Sequence, residues 1–186
     1  MSNKAINVVF AEEQHAVYAE RICQLIYESA LQRGTGIAKR SPDYIAAKIK
    51  GGKAVVALEG EKLVGFSYIE CWEHGDFVAT SGLIVDPEYR HMGLAKRIKR
   101  RTFELARRRF PYAKLFSITT SLPVMKLNSK MGYKPVTFSE LTEDKSSGRV
   151  VRGVATTIFC SVTSAACASA RVCCTTRQRR RRSIGT

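Results

Sequence analysis

Alternating and helical apolar patterns predict a mixed α/β domain over residues 6–140. A short β-branched segment at 6–10 precedes a stretch, 15–33, in which Tyr18, Ile22 and Leu25 recur at helical spacing. The predicted order of elements is β, α, α, β, β, β, α, β, α, β. That order favours a mixed sheet covered by helices on its faces.

The later elements are predicted from the same patterns together with turn residues. Ser41 and Pro42 form a good helix start, with serine as the N-cap and proline in the first turn. The elements expected after that point are a helix at 42–50, strands at 54–58, 63–71 and 77–85, a helix at 92–109, a strand at 115–120, a helix at 122–131 and a strand at 136–138.

The overall composition fits a folded domain without a membrane span. Hydrophobic residues make up 45% of the chain, but no run of about 18 apolar residues occurs. The first ten residues meet Glu12 and Glu13 at once and do not resemble a secretory signal. We therefore expect a cytoplasmic protein without a disulfide framework.

Residues 146–186 differ in composition from the rest of the chain. The formal net charge is +15, and this stretch holds eight arginines without lysine or acid. Four of the six cysteines lie there too, without the spacing or histidines of a zinc site, so no metal site is expected. We assign 1–145 to the folded domain and 146–186 to an Arg/Cys/Ser-rich tail, with a last strand expected at 150–159. Two interpretations of the remaining tail are open: a disordered arm that binds polyanions, or translation from a shifted reading frame.

The segment 83–95 carries the clearest chemical signal. It runs from a strand end, through a short loop, into the start of the long helix: Leu83, Ile84, Val85, then Arg90, His91, Met92, Gly93, Leu94 and Ala95. A helix N-terminus presents unpaired N–H groups and the positive end of the helix dipole. Glycine there lets a phosphate approach the backbone, and arginine adds a charged donor. This combination predicts a cradle for a pyrophosphate.

That segment resembles the phosphate-binding signature Arg/Gln-x-x-Gly-x-Gly/Ala of the GNAT N-acetyltransferase superfamily. Arg90, Gly93 and Ala95 occupy its three defined positions. The element order over 6–140 is also similar to that family's fold. The resemblance implies an α/β (α+β) fold with a central, mostly antiparallel sheet, splayed between the fourth and fifth strands and flanked by helices. The competing interpretation is a strand–loop–helix corner in which Gly93 only relieves crowding.

The same resemblance implies a reaction. Acetyl-CoA, or another acyl-CoA such as succinyl-CoA, would lie between the splayed strands, with its pantetheine arm bonded to the backbone of Leu83 and Val85. A neutral amine would attack the thioester directly, and a backbone N–H near Leu83 would stabilise the oxyanion. Proteins of this kind often form homodimers.

A second segment, 126–133, is similar to the family stretch Ala-Leu-Tyr-Glu-Lys-x-Gly-Phe but departs from it. Asn128 replaces the tyrosine that protonates the leaving thiolate, and an asparagine can only hydrogen-bond the sulfur or the pantetheine. Ser121, Tyr133 or water could supply the proton instead, or the thiolate leaves unaided. The alternative for Asn128 is a helix-surface residue without a role.

The catalytic base is predicted from position. Residues 78–81, where some family members carry a glutamate, contain no acid. Glu70, on the neighbouring strand, is the nearest acid, and we expect it to act through ordered water. The alternative is that Glu70 is an exposed strand residue.

The resemblance also places acceptor selection in the loop between the first two helices. Thr35, Lys39 and Arg40 lie there, and the two adjacent cations suit a carboxylate. An amino acid such as glutamate is therefore a predicted acceptor. A solvated basic loop is the alternative.

Three functions fit the sequence. The leading prediction is an acyl-CoA-dependent N-acyltransferase acting on the primary amine of a small molecule. The second is the same chemistry on a protein N-terminus or a ribosomal protein, favoured by the eight basic residues of the long helix. Some of these would flank the 3′-phosphate of coenzyme A, and the others would form a solvated face. The third is a non-catalytic acyl-CoA-binding or nucleic-acid-binding protein, favoured by Asn128 and the arginine-rich tail.

Overall fold

The computed structural model of the chain describes residues 5–33, 40–119, 121–136 and 159–163. Its strands are β1 (Ile6–Phe10), β2 (Ala54–Glu59), β3 (Lys62–Trp72), β4 (Phe77–Val85), β5 (Lys114–Thr119), β6 (Lys134–Val136) and β7 (Phe159–Thr163). Its helices are α1 (Ala19–Arg33), α2 (Pro42–Lys50), α3 (Leu94–Arg109) and α4 (Leu122–Lys130). The elements predicted between residues 6 and 131 are present, some with shifted ends.

A seven-stranded sheet in the order β1-β2-β3-β4-β5-β7-β6 forms the centre. Neighbouring strands are antiparallel except β4 and β5, which run parallel. The described ladder between β4 and β5 has three pairs: Phe77 with Lys114, Val78 with Leu115, and Ala79 with Phe116. Both strands then continue without pairing to each other. The predicted splay between the fourth and fifth strands is therefore confirmed.

Helices cover both faces of this sheet. Because side chains alternate along a strand, Phe66 of β3 packs with Ile22 of α1 and Ile45 of α2, whereas Ile69 packs with Ile98 of α3. Burying each such side chain contributes about 1.5–3 kcal/mol, so the sheet is held from both sides. No helix in the described ranges is both long and apolar enough to cross a membrane.

Two helices begin later than predicted, for backbone reasons. Glu13–Tyr18 form a 3-10 turn, capped where Glu12 N donates to His15 Nδ1 at 2.9 Å, so α1 begins only at Ala19. The helix expected from residue 92 begins at Leu94 because Gly93 adopts φ 74°, in the left-handed region.

The C-terminal strands only partly overlap the predicted ones. The strand expected at 136–138 is Lys134–Val136 in the structure, and residues 137–138 lie outside the described ranges. Of the strand expected at 150–159, only Phe159 is described, and it begins β7. β7 pairs with both β5 and β6. The boundary at 145/146 and the character of 164–186 fall outside the described ranges and stay predictions.

Candidate active site

The parting of β4 and β5 opens a slot in the sheet. After the last pair, Ala79 with Phe116, the next residues are Thr80 and Ser117. Thr80 Oγ1 lies 3.4 Å from Phe116 O, and Ser117 Oγ lies 3.4 Å from Thr80 O, so long contacts replace the ladder. We call these four residues the fork, and the gap between 81–85 and 118–119 the slot. Unpaired strand edges can bind an extended ligand as an added strand.

A β-bulge interrupts β4 beside the slot. The register shifts between Phe66 and Tyr68 of β3, so that Ser67 alone faces two residues, Gly82 and Leu83. Gly82 has φ 63°, and a Cβ there would lie 2.3 Å from the Tyr68 ring, so only glycine fits. Bulges leave one residue outside the regular ladder. The predicted backbone contact at Leu83 therefore lies where β4 departs from regular pairing.

The side chains after the bulge belong to the core. Ile84 is buried on the face covered by α1 and α2, and Val85 packs on the α3 face, with the half-buried Leu83 beside it. A ligand in the slot would therefore meet the backbone of these three residues more than their side chains.

The buried carboxylate of Asp86 holds the loop before α3. Asp86 is 4% exposed, and its Oδ1 accepts from Glu88 N at 3.1 Å while its Oδ2 accepts from Arg21 Nη2 at 3.3 Å. The Asp86 N–H donates to Val64 O at 3.0 Å. These bonds fix the direction in which the chain enters the helix, a role that a lone Asp-Pro pair in the sequence does not reveal.

The start of α3 presents unpaired amides. Lys96 N and Arg97 N both donate to Gly93 O, at 3.1 and 3.3 Å. Within the described part of the chain, no acceptor lies on the N–H groups of residues 91–95. His91 and Gly93 have φ 65° and 74°, and a Cβ on Gly93 would point into open space. Gly93 therefore does not relieve crowding, and its positive φ is what favours glycine at this position.

The remaining cradle residues frame these amides. Arg90 is exposed and donates from Nη1 to Gln32 Oε1 at 3.2 Å, which tethers it to α1. Met92 is 60% exposed, whereas Leu94 is buried and anchors the first turn in the core. Ala95 is half-buried and keeps that turn slim. The six predicted residues thus combine an anchored helix start with an open, positively polarised surface, and they fit a diphosphate.

The three residues predicted to act on the leaving thiolate, Asn128, Ser121 and Tyr133, differ in environment. Asn128 is fully buried on α4, so the helix-surface alternative is wrong. Ser121 is half-buried at the start of α4, with its N–H on Thr119 Oγ1 at 3.0 Å. Tyr133 is 2% exposed, and burial raises its pKa to about 12, which disfavours proton donation to a thiolate.

Glu70 lies in a polar cluster between α2 and β3. Its side chain is 17% exposed, so the alternative of an exposed strand residue is wrong. Tyr44 OH donates to Glu70 Oε1, and Lys48 Nζ lies 2.6 Å from Glu70 Oε2. Arg40 Nε donates to Tyr68 OH at 3.0 Å, and its guanidinium lies 5.5 Å from the Tyr44 ring centroid. The structure therefore brings together Glu70, the predicted base, and Arg40, one of the residues predicted to bind the acceptor substrate.

The electrostatics of this cluster favour proton exchange near neutrality. Burial raises the pKa of Glu70 to about 7, against the opposing effect of the Arg40 charge. Burial also lowers the pKa of Lys48, and the charge of Lys53 acts in the same direction. Glu70 pairs with Ala79, so the cluster is level with the fork. Tyr44, Lys48 and Tyr68 were missed in the sequence because nothing local marks them. Thr35 and Lys39 lie outside the described ranges.

Comparison with known families decides the assignment. The Acetyltransferase (GNAT) family model matches residues 20–133, more than half of the chain. The chain belongs to the GNAT acetyltransferase family. The matched region contains the cradle, the fork and the slot, and the resemblance drawn from Arg90, Gly93 and Ala95 is confirmed. No curated protein matches the chain significantly.

Solved structures share the GNAT fold at low identity. The N-acetylglutamate synthase of Neisseria gonorrhoeae, solved with coenzyme A and N-acetyl-glutamate, is 18% identical, with a TM-score of 0.68 over 86% of this chain and 35% of its own. Rv2747 of Mycobacterium tuberculosis, in complex with CoA, is 16% identical, with a TM-score of 0.64 over 85% and 98% of the two chains. The mosquito protein named arylalkylamine N-acetyltransferase like 5b is 16% identical, with a TM-score of 0.65 over 86% of this chain and 100% of its own. The chain spans about a third of the synthase's length. These likenesses establish the fold alone.

One residue beside the fork, Lys99, departs from the position that the sequence predicts. Lys99 is one of the eight basic residues of the long helix, which were expected to flank a phosphate or to face solvent, but it is 1% exposed. Its Nζ donates to Thr80 Oγ1 at 2.6 Å and to Ser117 Oγ at 3.0 Å, directly beneath the fork. The available signal was its place beside Ile98 on the apolar face of the helix.

Proposed function

We propose that this protein is an acyl-CoA-dependent N-acyltransferase that transfers an acetyl group to the primary amine of a small molecule, by direct attack. One observation carries the proposal: unpaired amides at the start of α3 lie at the end of the strand that forms one wall of the slot. A diphosphate on the amides of 91–95 and Arg90 would leave the thiol-bearing arm of coenzyme A to enter the slot. The predicted cytoplasmic location stays an expectation.

The bulge and strand ends supply the contacts along that arm. The backbone of Leu83 and Val85 would bond to the pantetheine as an added strand does. The N–H of Leu83, at the bulge, would stabilise the oxyanion that forms when the amine attacks the thioester carbonyl. Acetyl is the favoured acyl group because the N-acetylglutamate synthase with this fold has been solved with coenzyme A and N-acetyl-glutamate.

The cluster around Glu70 supports an acceptor site on the opposite face from α3. An acceptor ammonium must lose a proton before it attacks, and a carboxylate with a pKa of about 7 is suited to remove it near neutral pH. Arg40 and Lys48 place positive charge beside that carboxylate, which suits an acceptor that carries a carboxylate of its own. An amino acid such as glutamate fits this arrangement, with Thr35 and Lys39 as further predicted contacts.

The departing thiolate would lie near α4. Asn128 is buried there and could hydrogen-bond the sulfur or the pantetheine. The high pKa of Tyr133 leaves water or Ser121 as better proton sources, or the thiolate leaves unprotonated.

Thiol release from acetyl-CoA in the presence of amino acids, arylalkylamines, polyamines and peptides tests the proposal. We expect release that depends on one class of amine and that falls when Arg90→Ala weakens the cradle. Arg108→Ala, an exposed arginine in the last turn of α3, is the matched control. Tight binding of acetyl-CoA without amine-dependent release across the panel would contradict the proposal and favour a non-catalytic acyl-CoA-binding protein.

A second candidate is transfer to a protein N-terminus or ribosomal protein. A surface groove of about 450 Å³ between α3 and β1 is lined by Val8, Lys96, Arg97, Arg100, Arg101 and Glu104. Four cations against one acid suit a polyanion such as RNA. Charge-reversal at Arg97 and Arg100 should then abolish salt-sensitive RNA binding by the full chain. Unchanged binding would remove the support for this candidate.

A further inference from the structure

Lys99 is a buried cation without a described carboxylate partner. Its side chain leaves α3 within the core and ends beneath the fork, between β4 and β5. Within the described ranges, no acid lies within ion-pair distance of its Nζ. Buried charges are normally paired because desolvation is costly. Lys99 is therefore placed where a negative charge from outside the protein would be strongly favoured.

The hydrogen bonds at the fork run in one consistent direction. Lys99 Nζ donates to the hydroxyls of Thr80 and Ser117. Those hydroxyls can then donate across the fork, Thr80 toward Phe116 O and Ser117 toward Thr80 O, each at 3.4 Å. Lys99 Nζ thus connects Thr80 and Ser117, the first residue of each strand beyond the β4–β5 ladder. Any charge on it acts at the closed end of the slot, inside a medium of low dielectric.

The other groups facing Lys99 do not neutralise it. Its Nζ lies 5.2 Å from the centroid of the Tyr133 ring, and that phenol stays neutral because burial raises its pKa to about 12. Arg107 lies over the Phe103 ring, 5.5 Å from its centroid, and Phe103 in turn contacts the Tyr133 ring. Burial lowers the pKa of Lys99 to about 7, so an approaching anion would also draw a proton onto it.

We propose that Lys99 supplies the positive charge that stabilises the coenzyme A thiolate as it leaves, acting from beneath the fork through the slot. The inference rests on the proposed function, since it needs the thiol-bearing arm in the slot. In the step concerned, the amine nitrogen bonds to the acyl carbon and the carbon–sulfur bond breaks. The electron pair goes to sulfur, and the amine proton goes to the base. Lys99 forms no covalent bond and gives up no proton.

The expected size of the effect follows from the strand spacing. Leu83, where the thioester carbonyl is expected, lies three residues beyond Thr80, or about 10 Å along a strand. At that separation and an effective dielectric of about 20, a protonated Lys99 lowers the pKa of a thiol by at most about one unit, and by less at a pH where Lys99 has lost its proton. By reciprocity, the thiolate raises the pKa of Lys99 by the same amount.

The test is a titration that needs no acceptor. Coenzyme A carrying ¹³C on the carbon bonded to sulfur is bound to the full chain, and its thiol is titrated by NMR. We expect the bound thiol's pKa to be lower in the wild type than in Lys99→Met, by at most about one unit. Lys114→Met, which removes an exposed lysine on β5 below the fork, should match the wild type.

A second measurement uses only the wild-type chain, so it holds even if Lys99→Met fails to fold. With ¹³C-labelled lysine, the Lys99 side chain, whose pKa burial lowers to about 7, should shift to a higher pKa on binding coenzyme A. Desulfo-coenzyme A, which lacks the sulfur, should leave it unchanged.

The outcomes separate the two claims. If calorimetry shows that coenzyme A binds but neither pKa moves as expected, Lys99 has no such role and the proposed function stands. If coenzyme A does not bind to the wild type, the proposed function fails and this inference fails with it.

Discussion

Lys99 occupies a place that methionine could fill with little change in volume. With its charge buried, its folded pKa of about 7 lies well below the ordinary value of about 10.4. The penalty for burying the ammonium is fully present below pH 7. Between pH 7 and about 10.4 the unfolded chain binds the extra proton, so stability rises with pH through this group.

That linkage predicts the behaviour of Lys99→Met. The variant should be more stable than the wild type at pH 6–7, because it removes the buried charge, and the advantage should shrink by pH 9. Urea unfolding midpoints across this range measure it, with Lys114→Met as a control that changes an exposed charge. A constant difference between Lys99→Met and wild type at every pH would show that folding does not lower the pKa of Lys99.

The protonation of Glu70 predicts a pH dependence of the rate, because burial raises the pKa of this carboxyl to about 7. Below pH 7 its carboxyl carries a proton and cannot accept one, and above pH 7 it can. We expect kcat/KM to rise through pH 7 in the wild type, and Glu70→Gln to lose that rise together with about 10²–10⁴-fold in rate. Glu59→Gln, which also loses a carboxylate that accepts from a tyrosine hydroxyl, should retain both. An unchanged pH profile in Glu70→Gln would mean that the base lies elsewhere.

At the scale of elements, the start of α3 depends on one left-handed residue. Gly93→Ala should cost about 1–2 kcal/mol of stability from its positive φ, and its methyl group would project into the space expected for the diphosphate. We expect the Kd for coenzyme A to rise at least tenfold, measured by calorimetry. Gly52→Ala carries similar backbone strain at φ 60°, beside Arg109 at the other end of α3. It should lose stability without losing affinity, and equal losses of affinity would contradict the cradle.

The elements themselves were predictable because their signals are local. The β4 bounds, Phe77–Val85, follow from β-branched residues between two turns, and α2 follows from its Ser-Pro start. The cradle was also predictable, since its residues are contiguous. The Glu70 cluster was not, because Tyr44 and Lys48 reach it from α2 across the fold. Lys99 was misjudged because a lysine's default is solvent, and only the fork above it supplies polar partners.

At the scale of the whole molecule, the slot depends on strands far apart in sequence. β5 forms one wall, but β4 holds it through only three described pairs. On its other side, five pairs join Leu115–Thr119 to β7, and β7 also carries β6. The rigidity of the slot wall therefore comes largely from residues 159–163.

This arrangement predicts the effect of shortening the chain. A chain ending at Lys145 should unfold at a lower temperature and bind coenzyme A more weakly, because β5 loses the five β7 pairs and β6 loses its described partner. A chain ending at Ala170 keeps β7 and should match the full chain in both respects. Thermal unfolding and calorimetry compare the three. If the chain ending at Lys145 matched the full chain, β7 would be dispensable and the domain boundary predicted at 145 would be supported. If it loses stability and affinity together, the domain extends through residue 163, and that part of the tail is a component of the enzyme's slot.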